Sequence, residues 1–262
     1  MKYFVVDAFA ERIFEGNPAG VCVMEEWITD ELMQKIAIEN NLSETAFAVK
    51  EDEAYHLRWF TPGGEIDLCG HATVATAFVI LNYYEQGIET VRFTSKSGEL
   101  IVNKKVDLYE LDFPTVFSKK LAVTKEMVEV LGLTPKEAYL NRDLVLVLET
   151  EDDVRAVKPD FEKLSKLEQG LGVSVTAAGT EFDFVSRAFF PKMKINEDPV
   201  TGSLHCSLVP IWSEKLGKKQ LTARQVSNRG GTLYCKLEDS RVKIAGRAVL
   251  YSIGELYIDS NK

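Results

Sequence analysis

The sequence predicts an α+β protein made of two similar halves, with short strands around one buried helix in each half. The motif R-x-F-x-P occurs at residues 58–62 and again at 187–191, 129 residues apart in a chain of 262. A glycine follows each motif, Gly70 and Gly202, at the nearly equal separation of 132 residues. After each glycine the chain is uncharged over a helical length, which is typical of a helix buried on every face. Two landmarks at nearly one offset indicate duplicated halves.

The first half is rich in predicted strands and contains one surface helix. Apolar alternation predicts strands over residues 3–8, 20–24, 45–50, 55–60 and 90–94. Between residues 27 and 40 the apolar residues recur on one helix face, with Thr29 as a candidate N-cap and Asn40-Asn41 as the end. The uncharged runs 70–84 and 202–212 are predicted as the two central helices.

The boundary between the halves is predicted near residue 116. A strand ends at Pro114, and the TKEMVEVLG segment then has the features of a short helix capped by Thr124 and ended by Gly132. The predicted halves are therefore residues 1–116 and 117–262.

Composition argues against several classes of protein. The net charge is -9 and the pI about 5.1, and basic residues form no run longer than a pair, so nucleic acid is not the expected partner. No apolar stretch reaches the length of a membrane span, and Asp7 interrupts the apolar start where a signal peptide would continue, so we expect a cytoplasmic protein. The four cysteines lack paired spacing, which predicts free thiols.

The two glycine-led helix starts predict an anion site. A helix N-terminus has unpaired N–H groups and partial positive charge, and Gly70 and Gly202 leave room for a carboxylate there. If the halves face each other, both starts point into one cleft, and the ligand is a small organic acid. Taken singly, each glycine also fits a simple turn. His71 is expected to be a neutral hydrogen-bond donor in the first turn, or a packing residue, and Ser203 a site residue or a cap.

Two carboxylates near these helix starts suggest acid–base chemistry. Glu44 lies where the surface helix gives way to a strand, and Asp198 shortly precedes the second central helix. Each alone also fits a solvated or loop-bonded acid. No GxGxxG or GxxxxGK[ST] motif is present, so we expect no cofactor. CxxC and HExxH spacings are missing as well, so we expect no metal, although Cys69 remains a candidate thiol nucleophile.

Five short motifs give the chain a resemblance to a known family. They are GNPAG (16–20), NLSETAF (41–47), DLCGHAT (67–73), EDPVTGS (197–203) and SNRGG (227–231). On these motifs the sequence resembles the phenazine biosynthesis-like isomerases, whose wider fold is that of diaminopimelate epimerase. The resemblance implies two similar domains, each a curved, mainly antiparallel sheet around a central helix, with the site between them and homodimers common.

The resemblance also implies roles for individual residues. Glu44 matches the catalytic glutamate that removes and returns a carbon-bound proton without a cofactor. His71, Asp198 and Ser203 match residues that hold the substrate and assist proton movement. The positions of Gly70, Gly202 and Gly230 match backbone sites around the bound acid.

Two departures from related patterns keep alternatives open. Cys69 falls near a catalytic cysteine of the epimerases, but Thr201 stands where a second thiol would be expected. Leu204-His205 replaces the small residue that usually follows EDPVTGS before the histidine. The first hypothesis is a cofactor-independent isomerase acting on a small cyclic or unsaturated carboxylic acid. The alternatives are an epimerase that uses Cys69 as a base, and a non-catalytic protein that binds a small acid.

Overall fold

The computed structural model describes residues 1–258, which fall into two compact units. The first unit contains residues 1–112 and the segment from residue 245 onward, and the second contains residues 113–244. The join after Asp112 lies close to the predicted boundary at 116. The sequence-based division placed the residues from 245 onward in the second half, but in the structure they belong to the first unit. The reason is that the strand Ala248–Glu255 pairs with the first strand of the chain, Lys2–Ala8.

The described residues form eighteen strands and six α-helices. The strands are β1 (Lys2–Ala8), β2 (Asn17–Met24), β3 (Glu44–Glu51), β4 (Ala54–Thr61), β5 (Gly64–Ile66), β6 (Thr90–Ser95), β7 (Gly98–Lys105), β8 (Leu108–Pro114), β9 (Lys119–Leu121), β10 (Glu137–Leu140), β11 (Leu144–Val147), β12 (Val173–Ala178), β13 (Phe184–Phe190), β14 (Ile195–Asp198), β15 (Gln220–Gln225), β16 (Gly231–Glu238), β17 (Arg241–Gly246) and β18 (Ala248–Glu255). The helices are α1 (Asp30–Asn40), α2 (Gly70–Val79), α3 (Lys125–Leu131), α4 (Glu151–Ala156), α5 (Phe161–Lys166) and α6 (Gly202–Leu216).

The two units repeat one pattern of strand pairing. In the first, β2 and β3 are parallel, β3 pairs antiparallel with β4, and β4 pairs antiparallel with β5. After α2, β6 pairs parallel with β4 and antiparallel with β7. In the second, β11 and β12 are parallel, followed by the antiparallel pairs β12–β13 and β13–β14. After α6, β15 pairs parallel with β13 and antiparallel with β16. The predicted duplication is thus present strand by strand.

The repeated R-x-F motif makes the same contacts in each unit. Arg58 on β4 forms a forked pair with Glu65 on β5, at 2.8 and 3.0 Å, and its guanidinium carbon lies 5.1 Å from the centre of the Phe60 ring. Arg187 on β13 forms the matching fork with Glu197 on β14, at 2.7 and 2.9 Å, with the Phe189 ring at 5.1 Å. The motif is a structural arginine that joins two strands and covers an aromatic ring.

The central helices are buried as predicted. Every α2 residue from His71 to Ala77 is buried, and α2 packs against β1, β2 and β3. The helix departs from the predicted span at its end, where residues 80–84 form a single π turn closed by a bond from Glu85 N–H to the Ile80 carbonyl. Helix α6 continues four residues beyond the predicted end and stops at Gly217, whose φ of 66° suits glycine. It packs against β15 and β16.

The predicted helix ends of the flanking helices are confirmed. Thr29 accepts a bond from Leu32 N–H at the start of α1, and Asn41 ends it in the left-handed conformation, φ 49°. Thr124 and Gly132 cap α3 at its two ends. Within residues 1–258 no helix combines the length and apolar character needed to cross a membrane.

Candidate active site

Three chemically different side chains converge at the start of α2 in the first unit. Glu44 is the first residue of β3, Cys69 is the residue before α2, and His71 is the second residue of that helix. They are only 8%, 7% and 6% exposed, respectively. An acid, a thiol and an imidazole therefore meet in a place nearly closed to bulk water.

His71 lies at the centre of this group. Its Nε2 is 3.0 Å from Glu44 Oε2, and its Nδ1 is 3.4 Å from Cys69 Sγ. Asn17, which is completely buried, places its amide nitrogen 3.2 Å from the same Nδ1. The imidazole therefore lies between the carboxylate on its Nε2 side and the thiol and amide on its Nδ1 side.

The local fold explains why these residues meet. Strands β2 and β3 are parallel, with Ala19 beside Glu44, so their first residues lie at one edge of the sheet. Asn17 begins β2 and Glu44 begins β3 at that edge. Helix α2 packs on the same two strands, and its first turn supplies His71.

The pKa of His71 is shifted in the opposite direction to that expected from the sequence, which predicted a neutral imidazole. Burial alone would lower the pKa of His71, but the negative charges of a Cys69 thiolate and of the Glu44 carboxylate raise it well above the ordinary 6.5. The weak field of a helix start is outweighed by a carboxylate at 3.0 Å. Negative charge on these two neighbours therefore favours the protonated form of His71.

Cys69 does not have the environment of an activated nucleophile. Burial raises the pKa of the Cys69 thiol, and the charge of Glu44 raises it further, while His71 acts in the opposite direction. A helix start alone favours a thiolate, but here burial and the neighbouring acid dominate.

In the second unit, Asp198 is the last residue of β14 and begins the short segment that leads into α6. Thr201 Oγ1 donates to Asp198 Oδ2 at 2.5 Å. The amide of Gln225, a residue with no exposed surface, accepts from Thr201 N–H at 2.9 Å and donates to the Asp198 carbonyl at 2.7 Å. Gln225 thus fixes the loop that presents Asp198 beside the helix start.

Ser203, the second residue of α6, is approached by an arginine that the sequence did not single out. Arg142 donates to Ser203 Oγ at 3.4 Å. Its guanidinium also donates to Asp143 Oδ2 at 2.6 Å, and the buried Asp143 accepts from Gly172 N–H at 3.1 Å. A positive charge is therefore held next to the N-terminus of α6, where an anion would be stabilised.

Gly230 occupies a position that only glycine fits easily. Its φ is +69°, and a Cβ there would lie 2.8 Å from the Arg224 guanidinium. Gly230 N–H donates to Ser227 Oγ at 3.1 Å, and Ser227 Oγ donates to the Pro199 carbonyl at 2.8 Å. The SNRGG loop is thereby bonded to the segment that leads into α6.

The structure gathers the predicted site residues into one group in each unit. Glu44 and His71 meet at the start of α2, which begins at Gly70, and Asp198, Ser203 and Gly230 surround the start of α6, which begins at Gly202. Sequence reasoning missed three residues. Asn17 stands inside the GNPAG motif and had a usable signal there, whereas Arg142 and Gln225 have none in their local sequence. The common cleft for both helix starts stays a prediction.

The sequence profile of the phenazine biosynthesis-like protein family matches residues 6–254. The chain belongs to this family. The family resemblance predicted from the motifs is thus confirmed.

Relatives of the family cover nearly the whole chain. An uncharacterized isomerase of Pseudomonas aeruginosa is 50% identical over 98% of this chain and 98% of its own. The crystal structure of a PhzF-family phenazine biosynthesis protein from Enterococcus faecalis is 54% identical, covers 98% of this chain and 99% of its own, and superimposes with a TM-score of 0.97. A predicted epimerase of Pseudomonas aeruginosa, 20% identical over 98% of this chain and 99% of its own, has a TM-score of 0.75 and shows the epimerase-like fold.

Proposed function

We propose that this protein is a cofactor-independent isomerase that moves a carbon-bound proton on a small cyclic or unsaturated carboxylic acid. The observation that carries the proposal is the buried Glu44–His71 pair, 3.0 Å apart, at the N-terminus of α2. Membership of a family with relatives named isomerase supports the same reaction class.

In this proposal Glu44 takes a proton from substrate carbon and returns it to another carbon. A carboxylate that is held in a fixed position beside the substrate can act as a general base. His71, whose Nε2 lies 3.0 Å from Glu44 Oε2, helps to position this carboxylate. General acid–base catalysis of this kind contributes about 10²- to 10⁴-fold to a rate.

The charge that develops on the substrate needs stabilisation at the moment the proton leaves. The N–H groups of Gly70 and His71 at the start of α2 are oriented for this by the helix itself. Each such donor is typically worth about 10²- to 10³-fold. We assign Asp198 and Ser203 to assisting proton movement and to holding the substrate, and Gly202 and Gly230 to backbone contacts with the acid.

The test is hydrogen exchange at carbon. The protein is incubated in D2O with a panel of small cyclic and unsaturated carboxylic acids, and deuterium uptake is followed by NMR and mass spectrometry. Wild type is expected to label at least one acid, and Glu44→Gln to lose the labelling. The matched control is Glu51→Gln, at the exposed end of the same strand, which should keep it. Labelling that survives Glu44→Gln rejects the assignment.

A cysteine-assisted epimerase is the second candidate, and one contact favours it. Cys69 Sγ lies 3.4 Å from His71 Nδ1, close enough to exchange a proton through the imidazole. In the same assay, Cys69→Ser would abolish labelling if the thiol were a base and leave it intact if Glu44 acts alone. The raised pKa of the Cys69 thiol favours the second result.

A further inference from the structure

The geometry points to a binding site for a thiol-seeking divalent cation, Zn²⁺, formed by Glu44, Cys69 and His71. A cation bound there would occupy the group to which the proposed function assigns proton transfer and would inhibit it. Only this inhibitory consequence rests on the proposed function, since the binding itself depends on the three side chains alone.

The three side chains supply a donor set that zinc prefers. Their potential ligand atoms, a carboxylate oxygen, a thiol sulfur and an imidazole nitrogen, all lie within 4.8 Å of one another. Zinc is bound by Cys, His and Asp or Glu at about 2.0–2.3 Å, and in sites open to small molecules three protein ligands leave the fourth position to water. Atoms this close need only small side-chain movements to surround one ion.

The nitrogen available to the ion is Nε2 of His71. It lies 3.0 Å from Glu44 Oε2 and 3.9 Å from Cys69 Sγ. The other nitrogen, Nδ1, lies 3.2 Å from the side-chain nitrogen of Asn17, and a rotation of that amide would place its oxygen there to accept from Nδ1–H. Metal-bound histidines typically have such an acceptor on the second nitrogen, which fixes the ring and is worth about 10- to 100-fold in affinity.

Burial makes this group different from a surface cluster of acids. Each of the three side chains is at most 10% exposed, so the ligands are positioned by packing rather than by the ion. A thiolate, an imidazole and a carboxylate carry two negative charges, which Zn²⁺ would neutralise in a place poorly screened by water. Binding releases the protons that the thiol and the imidazole carried, and no electron is transferred.

The second unit provides an internal comparison. His205 and Cys206 are adjacent on α6, yet His205 Nδ1 is bonded to the Thr201 carbonyl at 2.8 Å, and no acid joins them in the described part of the chain. Sequence spacing alone favoured neither pair as a metal site. The difference lies in Glu44, which reaches the first pair from a strand 25 residues earlier in the chain.

The experiment measures metal binding directly. Purified full-length protein is freed of metals with a chelator and titrated with Zn²⁺ against a chromophoric competitor, and separately with Co²⁺ as a spectroscopic substitute. One Zn²⁺ per chain is expected, together with a thiolate-to-cobalt charge-transfer absorption. Cys69→Ser should remove that absorption and weaken zinc binding about 100-fold or more, as should His71→Gln.

The control is Cys206→Ser, which removes an equally buried thiol beside a histidine and should leave both signals unchanged. The cobalt signal of the wild type is informative even if a variant fails to fold. Absence of zinc binding at micromolar concentration, or binding that persists unchanged in Cys69→Ser, overturns the proposal. Metal binding without deuterium exchange would refute the proposed function alone, and exchange that zinc leaves untouched would refute the inhibitory site.

Discussion

At the scale of single residues, the two histidines of the central helices have opposite electrostatic environments. His71 faces a carboxylate at 3.0 Å, and its pKa rises despite burial because of the neighbouring negative charges. His205 has no exposed surface, and its Nε2 has no hydrogen-bond partner among residues 1–258. Burial lowers the pKa of His205 to about 4, with the Thr201 carbonyl acting weakly in the opposite direction. In equivalent helices, neighbouring charges thus favour protonation of one imidazole, and burial opposes protonation of the other.

The low pKa of His205 makes acid stability testable. Below the ordinary pKa of 6.5 the histidine is protonated in the unfolded chain, whereas in the folded protein it stays neutral down to about pH 4. The free energy of unfolding therefore falls as the pH is lowered from 6.5 to 4. The loss is about 1.4 kcal/mol for each pH unit and about 3 kcal/mol in all. Urea unfolding between pH 7 and pH 4 measures this loss.

The matched variants are His205→Gln and His56→Gln. Gln cannot titrate, so His205→Gln should flatten the pH dependence of the unfolding free energy, whatever it does to the value at pH 7. His56 lies on β4 with its side chain 36% exposed, and its replacement should leave the dependence on His205 in place. Equal slopes for wild type and His205→Gln would contradict a neutral buried imidazole.

At the scale of elements, the repeated arginine motif is expected to stabilise each unit rather than to act in chemistry. Arg187 joins β13 to β14 through Glu197 and also donates to the carbonyls of Val154, Arg155 and Val157 at the end of α4, the last at 2.7 Å. Its side chain is 13% exposed. The Arg187 guanidinium thus donates hydrogen bonds both to a carboxylate on a neighbouring strand and to carbonyls at a helix end that have no partner within the helix.

Replacing Arg187 should therefore be costly. Arg187→Gln leaves Glu197 unpaired and the α4 carbonyls unsatisfied, and we expect a loss of about 3 kcal/mol in the free energy of unfolding. The control is Arg92→Gln, which breaks an exposed pair with Glu99 between β6 and β7 and should cost about 0.5 kcal/mol or less. Urea unfolding measures the free energy of unfolding of both variants. An equal decrease in the two would show that the Arg187–Glu197 pair stabilises the protein no more than an exposed ion pair does.

The elements that could be predicted from sequence are those specified by local chemistry. Thr29 and Thr124 were recognisable as N-caps because the side chain acts on amides two or three residues away. The starts of α2 and α6 followed from a glycine before an uncharged run. The π turn at 80–84 was missed, since no composition distinguishes it from an α-helix.

The site was predictable only in part for a related reason. The motifs indicated Glu44 and His71, but their contact depends on the parallel pairing of β2 with β3 and on the packing of α2. Arg142 and Gln225 act on partners 61 and 24 residues away, so no local pattern in the sequence indicates them. The raised pKa of His71 was not expected, because Glu44, which contributes to it together with Cys69, reaches His71 from β3 and not from the neighbouring sequence.

At the scale of the whole molecule, the last described strand of the chain, β18, belongs to the first unit. Strand β18 pairs with β1 along the full length of β1, from Lys2 opposite Glu255 to Ala8 opposite Ala248, and β2 pairs with the other edge of β1. The first strand of the protein therefore lies between its neighbours only when the end of the described chain is in place. Folding of a unit that is built from two distant segments loses more conformational entropy on chain closure than folding of a unit that is continuous in sequence.

Removal of β18 should consequently weaken the first unit selectively. A chain ending after Gly246 leaves one edge of β1 without its ladder of hydrogen bonds, and hydrogen exchange with mass spectrometry should show faster exchange in β1 and β2. Strands β11, β12 and β13 pair within the second unit and serve as the internal control. If protection fell equally in both sets, the units would unfold as one cooperative body, and if β1 kept its protection, β18 would be dispensable to the sheet.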